Sequence, residues 1–258
     1  MNIGWIDSHA HLCEETYEQE IKEIIERAKE NHVYRMMVIA CNLSQGQRAL
    51  QLKREYDVFD IAVGFHPEDA DNITDEDLYQ LEQMLQSGEF NALGEIGLDY
   101  YWRKDNKEKQ IELFIKQIQL AQKYDLPILI HSRDAMQETY DILKQYPSYG
   151  IMHCFGGSVE MMREFVKLGY MISLAGPVTF KNAVVPKEVA KEVSLDHLLI
   201  ETDCPYMTPH PYRGKRNEPM YVAYTGEMIA SLKQMDTAEV QIQLQKNYNH
   251  LFHKKQKD

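Results

Sequence analysis

Short apolar runs rich in Val and Ile recur along the whole chain, and amphipathic helical patterns separate them. Continuously apolar runs of this kind are typical of parallel strands buried on both faces. The predicted strands span residues 5–9, 36–41, 61–65, 92–98, 127–131, 151–155, 170–174 and 198–202. Eight strand signals that alternate with helices, without a break in composition, predict a single (β/α)8 TIM barrel over residues 1–258.

The segments between the predicted strands carry apolar residues at helical spacing. The clearest stripe consists of Ile111, Phe114, Ile115, Ile118 and Ala121, and we interpret it as core packing. Thr74 and Asp77 resemble the capping box that begins a helix. The Pro-rich segment 204–219 follows the last strand and predicts a stiff loop over the barrel mouth. We expect the charged tail 254–258 to be frayed.

Composition limits the possible functions. The net charge of -12, from 28 basic and 40 acidic residues, argues against a protein that coats nucleic acid non-specifically. It does not exclude an enzyme that meets nucleic acid at a metal-loaded cleft, because bound divalent ions are often the largest local charges in a site. Four widely spaced cysteines without a C-x-x-C pair indicate reduced thiols and a cytoplasmic location. We expect neither a signal peptide nor a membrane span.

Polar residues typical of metal sites lie where the predicted strands end. Side chains at the C-terminal strand ends of a TIM barrel converge on one site. The candidates are His9, His11, His66, Glu95, Asp99, His131, Arg133, His153, Glu201 and Asp203. Each alone is compatible with a structural role at a strand end. Together they predict a metal centre, because burial of so many ionisable groups is costly unless a cation pairs them.

The proposed ligand set, which does not include His66, has four imidazoles and at least two carboxylates. This mixture suits zinc, manganese, nickel or iron better than calcium, which prefers oxygen ligands. Six protein ligands exceed what one catalytic ion needs, so we predict two divalent ions with Glu95 as the bridge. His9, His11, Glu95 and Asp203 would hold one ion, and Glu95, His131 and His153 the other. Asp7, on the strand face of His9, is a candidate partner for the far nitrogen of an imidazole.

The motifs around these residues resemble those of the TatD family of metal-dependent deoxyribonucleases, within the amidohydrolase-like hydrolases. The similar motifs are D-S-H-A-H at 7–11, G-F-H-P at 64–67, G-E-I-G-L-D at 94–99, H-S-R at 131–133, H-C-F at 153–155, E-T-D at 201–203 and R-G-K-R-N-E-P at 213–219. The resemblance implies a TIM barrel, two metal ions and hydrolysis of phosphodiester bonds in DNA. It implies that His9, His11, Glu95, His131, His153 and Asp203 are metal ligands, and that His66 lies near the scissile phosphate.

Further roles around the ions are hypotheses from the chemistry of the residues. Asp203 is a candidate acceptor for the proton of the attacking water, and Glu95 is counted with it as catalytic. His66 would bind the phosphate or protonate the leaving oxygen; the alternative is a His packed against Pro67. Arg133 and Arg213 would hold further phosphates unless they form an ordinary solvated surface.

Residues beside the predicted ligands have simpler alternatives as well. Lys215 and Arg216, next to Arg213, share its candidate role in phosphate binding. The segment 100–102, Tyr-Tyr-Trp, offers rings for stacking on bases, unless it packs against the next helix. We interpret Cys154 and Cys204, which adjoin ligands, as small buried residues turned away from the ions.

The first interpretation is a two-metal deoxyribonuclease acting on single-stranded DNA or strand ends, because a barrel mouth accepts a strand terminus more easily than the middle of a duplex. Magnesium, manganese, zinc and nickel remain candidates for the two ions. An alternative is a two-metal hydrolase of another ester or amide, such as an aminoacyl ester on tRNA. A third possibility is a metal-binding barrel that acts as an interaction scaffold. We expect no membrane association and see no sign of an obligate protein partner.

Overall fold

The computed structural model describes residues 3–253, where one parallel sheet runs in chain order. Its strands are β1 (Trp5–Ala10), β2 (Val33–Ala40), β3 (Phe59–Val63), β4 (Ala92–Asp99), β5 (Ile128–Arg133), β6 (Gly150–Met152), β7 (Met171–Leu174) and β8 (Leu198–Ile200). The α-helices are α1 (Ile21–Glu30), α2 (Leu43–Glu55), α3 (Asp75–Gln86), α4 (Lys107–Lys123), α5 (Met136–Gln145), α6 (Val159–Lys167), α7 (Val184–Glu192), α8 (Val222–Lys233) and α9 (Thr237–Phe252). The expected frayed tail 254–258 lies outside the described residues.

The first and last strands meet and nearly close the sheet into a barrel. Ala10 and Cys204 form a parallel bridge just beyond β8. The His11 amide donates to the Cys204 carbonyl at 2.9 Å, and the Asp203 amide donates to the His9 carbonyl at 3.0 Å. The predicted (β/α)8 TIM barrel is therefore confirmed. The hydrogen bonds of this seam come from residues next to, or among, the candidate metal ligands.

Two apolar clusters stabilise the barrel, and alternate residues of one strand belong to different clusters. On β2, Met36 and Val38 join the larger cluster, which includes the apolar faces of the helices. Met37 and Ile39 join a smaller cluster that gathers side chains from most strands and from α9. This separation follows from the two-residue period of a strand. It places the smaller cluster inside the barrel, where α9 covers its amino-terminal end.

The predicted strands are all present, with shifted ends. β6 and β8 end earlier than predicted, at Met152 and Ile200. Cys154 and Asp203 have φ values of 41° and 55°, so the chain leaves the extended conformation after each short strand. The capping box at the start of α3 is confirmed, since the Thr74 hydroxyl accepts from the Asp77 amide.

The segment between β8 and α8 contains only a 3₁₀ turn, Pro219–Tyr221, as expected for a Pro-rich loop. The stripe from Ile111 to Ala121 lies on α4, and further helices lie between the predicted strands, as the alternating pattern predicts. Within residues 3–253, no helix is both long and apolar enough to cross a membrane.

Candidate metal centre

Glu95 lies at the centre of the cluster of ionisable groups in the barrel mouth. It is buried on β4, two residues before Gly97, and Asp99 lies two residues after Gly97 on the same strand face. The register of the sheet pairs Gly97 with His131 on β5. The His131 ring therefore lies between two carboxylates of the neighbouring strand.

A glycine is required at position 97 for this arrangement. Gly97 has a φ of 144°, and a Cβ there would lie 2.0 Å from the His131 carbonyl oxygen. Any larger residue would displace β5 from β4. The second glycine of the G-E-I-G-L-D motif thus lets the two strands approach closely enough for His131 to reach Glu95.

One oxygen of the Glu95 carboxylate faces the residues of the barrel seam. Oε2 lies 3.3 Å from His9 Nε2 and 3.5 Å from His11 Nε2. The two imidazole nitrogens are 3.2 Å apart. Asp203 completes this group, with its Oδ1 at 3.3 Å from His11 Nε2 and 3.9 Å from His9 Nε2.

The other oxygen of the same carboxylate faces a second pair of histidines. Oε1 lies 2.7 Å from His131 Nδ1 and 3.1 Å from His153 Nε2. The His9 and His153 rings stack with centroids 3.7 Å apart, so the two groups adjoin across the mouth. The structure brings all six predicted ligands together around the two oxygens of Glu95.

The donor set fits divalent ions. Ligand atoms of His9, Glu95 and His153 lie within 4.8 Å of one another, and so do those of His9, His11 and Asp203. Imidazole nitrogens that face each other at this distance need a proton or a cation between them. Cations would also compensate the buried carboxylates, and imidazole with carboxylate is a ligand set typical of first-row divalent metals.

The electrostatics of the cluster keep its two central carboxylates ionised. Burial opposes ionisation of Glu95, but the charges of His153 and His9 outweigh it and hold its pKa well below the usual range. Burial likewise opposes ionisation of Asp203, and the hydrogen bond from His11 brings its pKa below the usual value. Both carboxylates are thus available as ligands at neutral pH.

Two further carboxylates lie beside the far nitrogens of two candidate ligand histidines. His131 Nε2 lies 2.9 Å from Asp99 Oδ2, and His153 Nδ1 lies 2.9 Å from Glu201 Oε1. Burial lowers the pKa of His131, but Asp99 and Glu95 reverse this and raise it to about 9. A carboxylate behind a ligand imidazole fixes its tautomer and ring orientation. Sequence reasoning placed both carboxylates at the mouth but did not assign them this role.

Asp7, the candidate partner for an imidazole, instead binds the Thr202 hydroxyl and two backbone amides. Its Oδ1 accepts from the Thr202 amide at 2.9 Å and from the His9 amide at 3.3 Å. Burial raises the pKa of Asp7 to about 8. These hydrogen bonds of Asp7 join β1 to the residues after β8. The buried Nδ1 of His9, which Asp7 was expected to bind, has no hydrogen-bond partner among the described residues.

His66 lies beside the cluster, on the side of His131. Its Nε2 is 3.9 Å from Glu95 Oε1, and its ring packs edge-on against the His131 ring with centroids 4.6 Å apart. The Nδ1 atom accepts a hydrogen bond from the Glu68 amide at 3.3 Å, so Nε2 carries the proton of the neutral ring. Burial lowers the pKa of His66 to about 4. His66 therefore presents a neutral N–H donor next to Glu95.

The cysteines near the cluster are neutral thiols. Cys41, directly after β2, places its sulfur 3.8 Å from His11 Nδ1, and burial raises the pKa of its thiol. The predicted strand 36–41 ends at Cys41, so the sequence places this thiol at the rim, but no motif singles it out as a site residue. Cys204 is buried as expected, whereas Cys154 is half-buried.

The candidate phosphate-binding residues differ in their surroundings. Arg133 is exposed at the end of β5, and its guanidinium lies 3.9 Å above the Tyr101 ring. Arg213 is exposed and lies 4.6 Å from the Phe180 ring, with no described contact to the ligand cluster. Arg216 binds Glu20 at 2.8 Å and Glu218 at 3.0 Å. Its role as a phosphate ligand is therefore not favoured.

The segment 100–102 divides between packing and exposure. Tyr100 is buried, and its hydroxyl donates to Glu138 Oε2 of α5 at 2.6 Å. Tyr101 and Trp102 remain 52% and 61% exposed. Packing against a helix thus accounts for the first ring and not for the other two.

Several known proteins are similar to this chain in sequence. A family model described as TatD related DNase matches residues 6–253. The uncharacterized metal-dependent hydrolase YabD of Bacillus subtilis is 48% identical over 249 residues, which cover 95% of this chain and 98% of that protein. The uncharacterized metal-dependent hydrolase YcfH of Escherichia coli is 34% identical, over 96% and 95% of the two chains.

A solved structure shows the same architecture. The crystal structure of YJJV, a TatD homolog from Escherichia coli, superposes with a TM-score of 0.93 and 30% sequence identity, covering 98% of this chain and 100% of that one. The match extends over the whole barrel, including every strand that carries a candidate ligand. This chain belongs to the TatD family of metal-dependent hydrolases.

Proposed function

We propose that this hydrolase is a deoxyribonuclease that cleaves phosphodiester bonds in single-stranded DNA or at strand ends, with two divalent ions per chain. The observation that carries the proposal is the position of Glu95, whose two carboxylate oxygens face two different sets of imidazoles. His9, His11, Glu95 and Asp203 would hold one ion, and Glu95, His131 and His153 the other. Bound divalent ions would supply a nucleophile from water at neutral pH and neutralise charge on a phosphoryl group.

The residues around the ions have roles that follow from their protonation. Asp203 is ionised and accepts the proton of the attacking water. His66 is neutral and donates a hydrogen bond from Nε2 to a phosphoryl oxygen beside Glu95. Its low pKa disfavours the role of general acid in the resting enzyme, because little of the imidazolium form is present at neutral pH.

Two further features support a nucleic-acid substrate. The family model that matches the chain is that of DNases, and the barrel mouth carries an exposed arginine and two exposed aromatic rings. Arg133 is suited to a backbone phosphate next to the scissile one. A separate observation concerns location. The four cysteines of the chain are free thiols in the described structure, which supports our proposal of a cytoplasmic location.

The test is cleavage of a 5′-labelled single-stranded oligodeoxynucleotide by metal-stripped protein, with magnesium, manganese, zinc or nickel added back. We expect a product ladder that requires a metal and disappears in Glu95→Ala. Glu112→Ala, which removes an exposed carboxylate from α4, is the matched control and should cleave as the wild type does.

The contrary result would be equally informative. If the wild type binds about two ions and cleaves no oligonucleotide with any of them, the deoxyribonuclease proposal is wrong. The same protein should then be tested on aminoacyl esters and other carboxylic esters, because the same centre would serve the hydrolysis of either bond.

A further inference from the structure

Two aromatic rings and an arginine form an exposed stack beside the candidate metal centre. The Tyr101 and Trp102 rings meet edge to face, with centroids 4.8 Å apart and an interplanar angle of 86°. The Arg133 guanidinium lies 3.9 Å from the centre of the Tyr101 ring and 5.4 Å from that of Trp102. We refer to Tyr101, Trp102 and Arg133 as the rim stack. Contiguous exposed apolar surface is a feature of interaction sites and ligand-binding grooves.

The backbone under the rim stack is rigid. The Tyr101 and Trp102 amides both donate to Asp99 Oδ1, at 2.9 and 3.0 Å. The Tyr100 amide donates to the Arg133 carbonyl at 2.9 Å, so the two parts of the stack are joined through main chain. A preorganised aromatic surface loses little conformational freedom when a ligand binds.

The rim stack is one side chain away from the metal ligands. The same Asp99 carboxylate that holds the Tyr101 and Trp102 amides accepts from His131 Nε2 through its other oxygen, at 2.9 Å. His131 in turn lies 2.7 Å from Glu95. A phosphodiester at Glu95 would therefore have its neighbouring nucleoside within reach of the stack.

Charge favours one kind of occupant. No ion pair of the described residues involves Arg133, although its charge acts on nearby Glu68, so its guanidinium can pair with a further anion while its plane lies on a ring. A ligand that combines a flat π-face with an adjacent phosphate matches both properties. An unpaired nucleotide is such a ligand, and a base inside a duplex, whose faces are already stacked, is not.

We infer that the rim stack binds an unpaired nucleobase next to the scissile phosphate and so selects single-stranded substrates. This inference rests on the proposed nuclease function for its biological meaning, but it concerns binding alone. Stacking of one base on an aromatic side chain contributes about 5- to 150-fold in affinity. Loss of Trp102 should weaken binding of single-stranded DNA by about tenfold, within this range.

The chain contains its own reporter for this contact. It has two tryptophans, and Trp5 is 3% exposed in the core whereas Trp102 is 61% exposed in the stack. A base stacked on Trp102 should quench its fluorescence and leave the emission of Trp5 unchanged. The probe is an all-phosphorothioate thymidine octamer added to the metal-loaded protein, with the length of the octamer checked after each titration. The comparison ligand has the same length and charge, with tetrahydrofuran in place of each base.

The expected result is quenching by the thymidine octamer, with about tenfold tighter binding than the octamer without bases. Fluorescence anisotropy of labelled octamer should show weaker binding in Trp102→Ala and recovery in Trp102→Phe, which restores a ring. Tyr79→Ala is the matched control, because Tyr79 is 56% exposed on α3, and it should bind as the wild type does.

Equal affinity for both octamers, or unchanged affinity in Trp102→Ala with Trp5 emission and helix content intact, would overturn the inference. Neither result depends on cleavage. If the protein binds the thymidine octamer more tightly but cleaves no DNA, the rim-stack inference is supported and the proposed function is contradicted. If it cleaves DNA but binds both octamers equally, the proposed function is supported and the rim-stack inference is contradicted.

Discussion

Replacement of Asp99 by Asn should weaken one of the two proposed metal sites and spare the other. In the wild type, Asp99 Oδ2 accepts from His131 Nε2 while Oδ1 accepts from the Tyr101 and Trp102 amides. The Asn side chain can keep its oxygen towards the two backbone amides only by turning its NH₂ group towards His131. The opposite orientation would set NH₂ against two N–H donors. His131 Nε2 must then accept a hydrogen bond, and the ring proton moves to Nδ1.

The size of the expected loss in metal affinity follows from the protonation of His131 Nδ1. Nδ1 is the atom that faces Glu95, and a protonated Nδ1 has no lone pair for a metal ion. Loss of a carboxylate behind a ligand imidazole typically lowers metal affinity by about 10- to 100-fold, or about 1.4 to 2.7 kcal/mol. The ion proposed at His9, His11, Glu95 and Asp203 has no ligand with a described contact to Asp99 and should keep its affinity.

The assay is calorimetric titration of metal-stripped protein with zinc or manganese. Wild-type protein should take up about two ions, and Asp99→Asn should keep one site and weaken the other. Asp60→Asn is the matched control: it replaces a buried carboxylate bound to Tyr248 near the amino-terminal end of the barrel, and both affinities should stay as in the wild type. Two wild-type affinities in Asp99→Asn, or an equal loss at both sites, would refute the reasoning.

Three other perturbations address stability. Gly97→Ala should lower the free energy of unfolding by about 3 kcal/mol or more, because its Cβ would overlap the His131 carbonyl; a loss below about 1 kcal/mol in urea would contradict the fit of the two strands. Asn217→Ala should cost about 2 kcal/mol in the same assay, since the buried Asn217 amide donates to the Thr202 and Tyr206 carbonyls; an unchanged midpoint would contradict this. With free metal at about 100 times the dissociation constant of one ion, removal of that metal should lower the Tm measured by calorimetry by roughly 5–10 °C. An unchanged Tm would argue against a metal site in the folded barrel.

The barrel could be predicted because its strands carry their signal locally. Each is a short apolar run whose burial on both faces appears directly in composition. The strand ends were less well predicted, as β6 and β8 show. The sequence does not reveal that Cys154 and Asp203 adopt positive φ, because that conformation depends on contacts such as the bond from the Cys154 amide to Glu201.

The candidate ligands were predicted for a similar reason: in a barrel, position at a strand end is enough to bring them to one mouth. The carboxylates behind the ligand imidazoles could not be assigned, because that pairing depends on strand register. Only the alignment of Gly97 with His131 shows that Asp99 faces the ring. The pairing of Arg216 with Glu20 could not be predicted either, since Glu20 lies far away in the sequence and is brought near by the closed barrel.

The seam between β1 and β8 has a consequence for biosynthesis. The ion proposed at His9, His11 and Asp203 takes its ligands from both sides of this seam, where the His9 carbonyl also accepts from the Asp203 amide. On the ribosome, a nascent chain lacks part of this proposed metal site until the segment after Leu198–Ile200 has been synthesised and has emerged from the exit tunnel. A partly translated chain would therefore be inactive as a hydrolase, and activity would appear only after the barrel has closed.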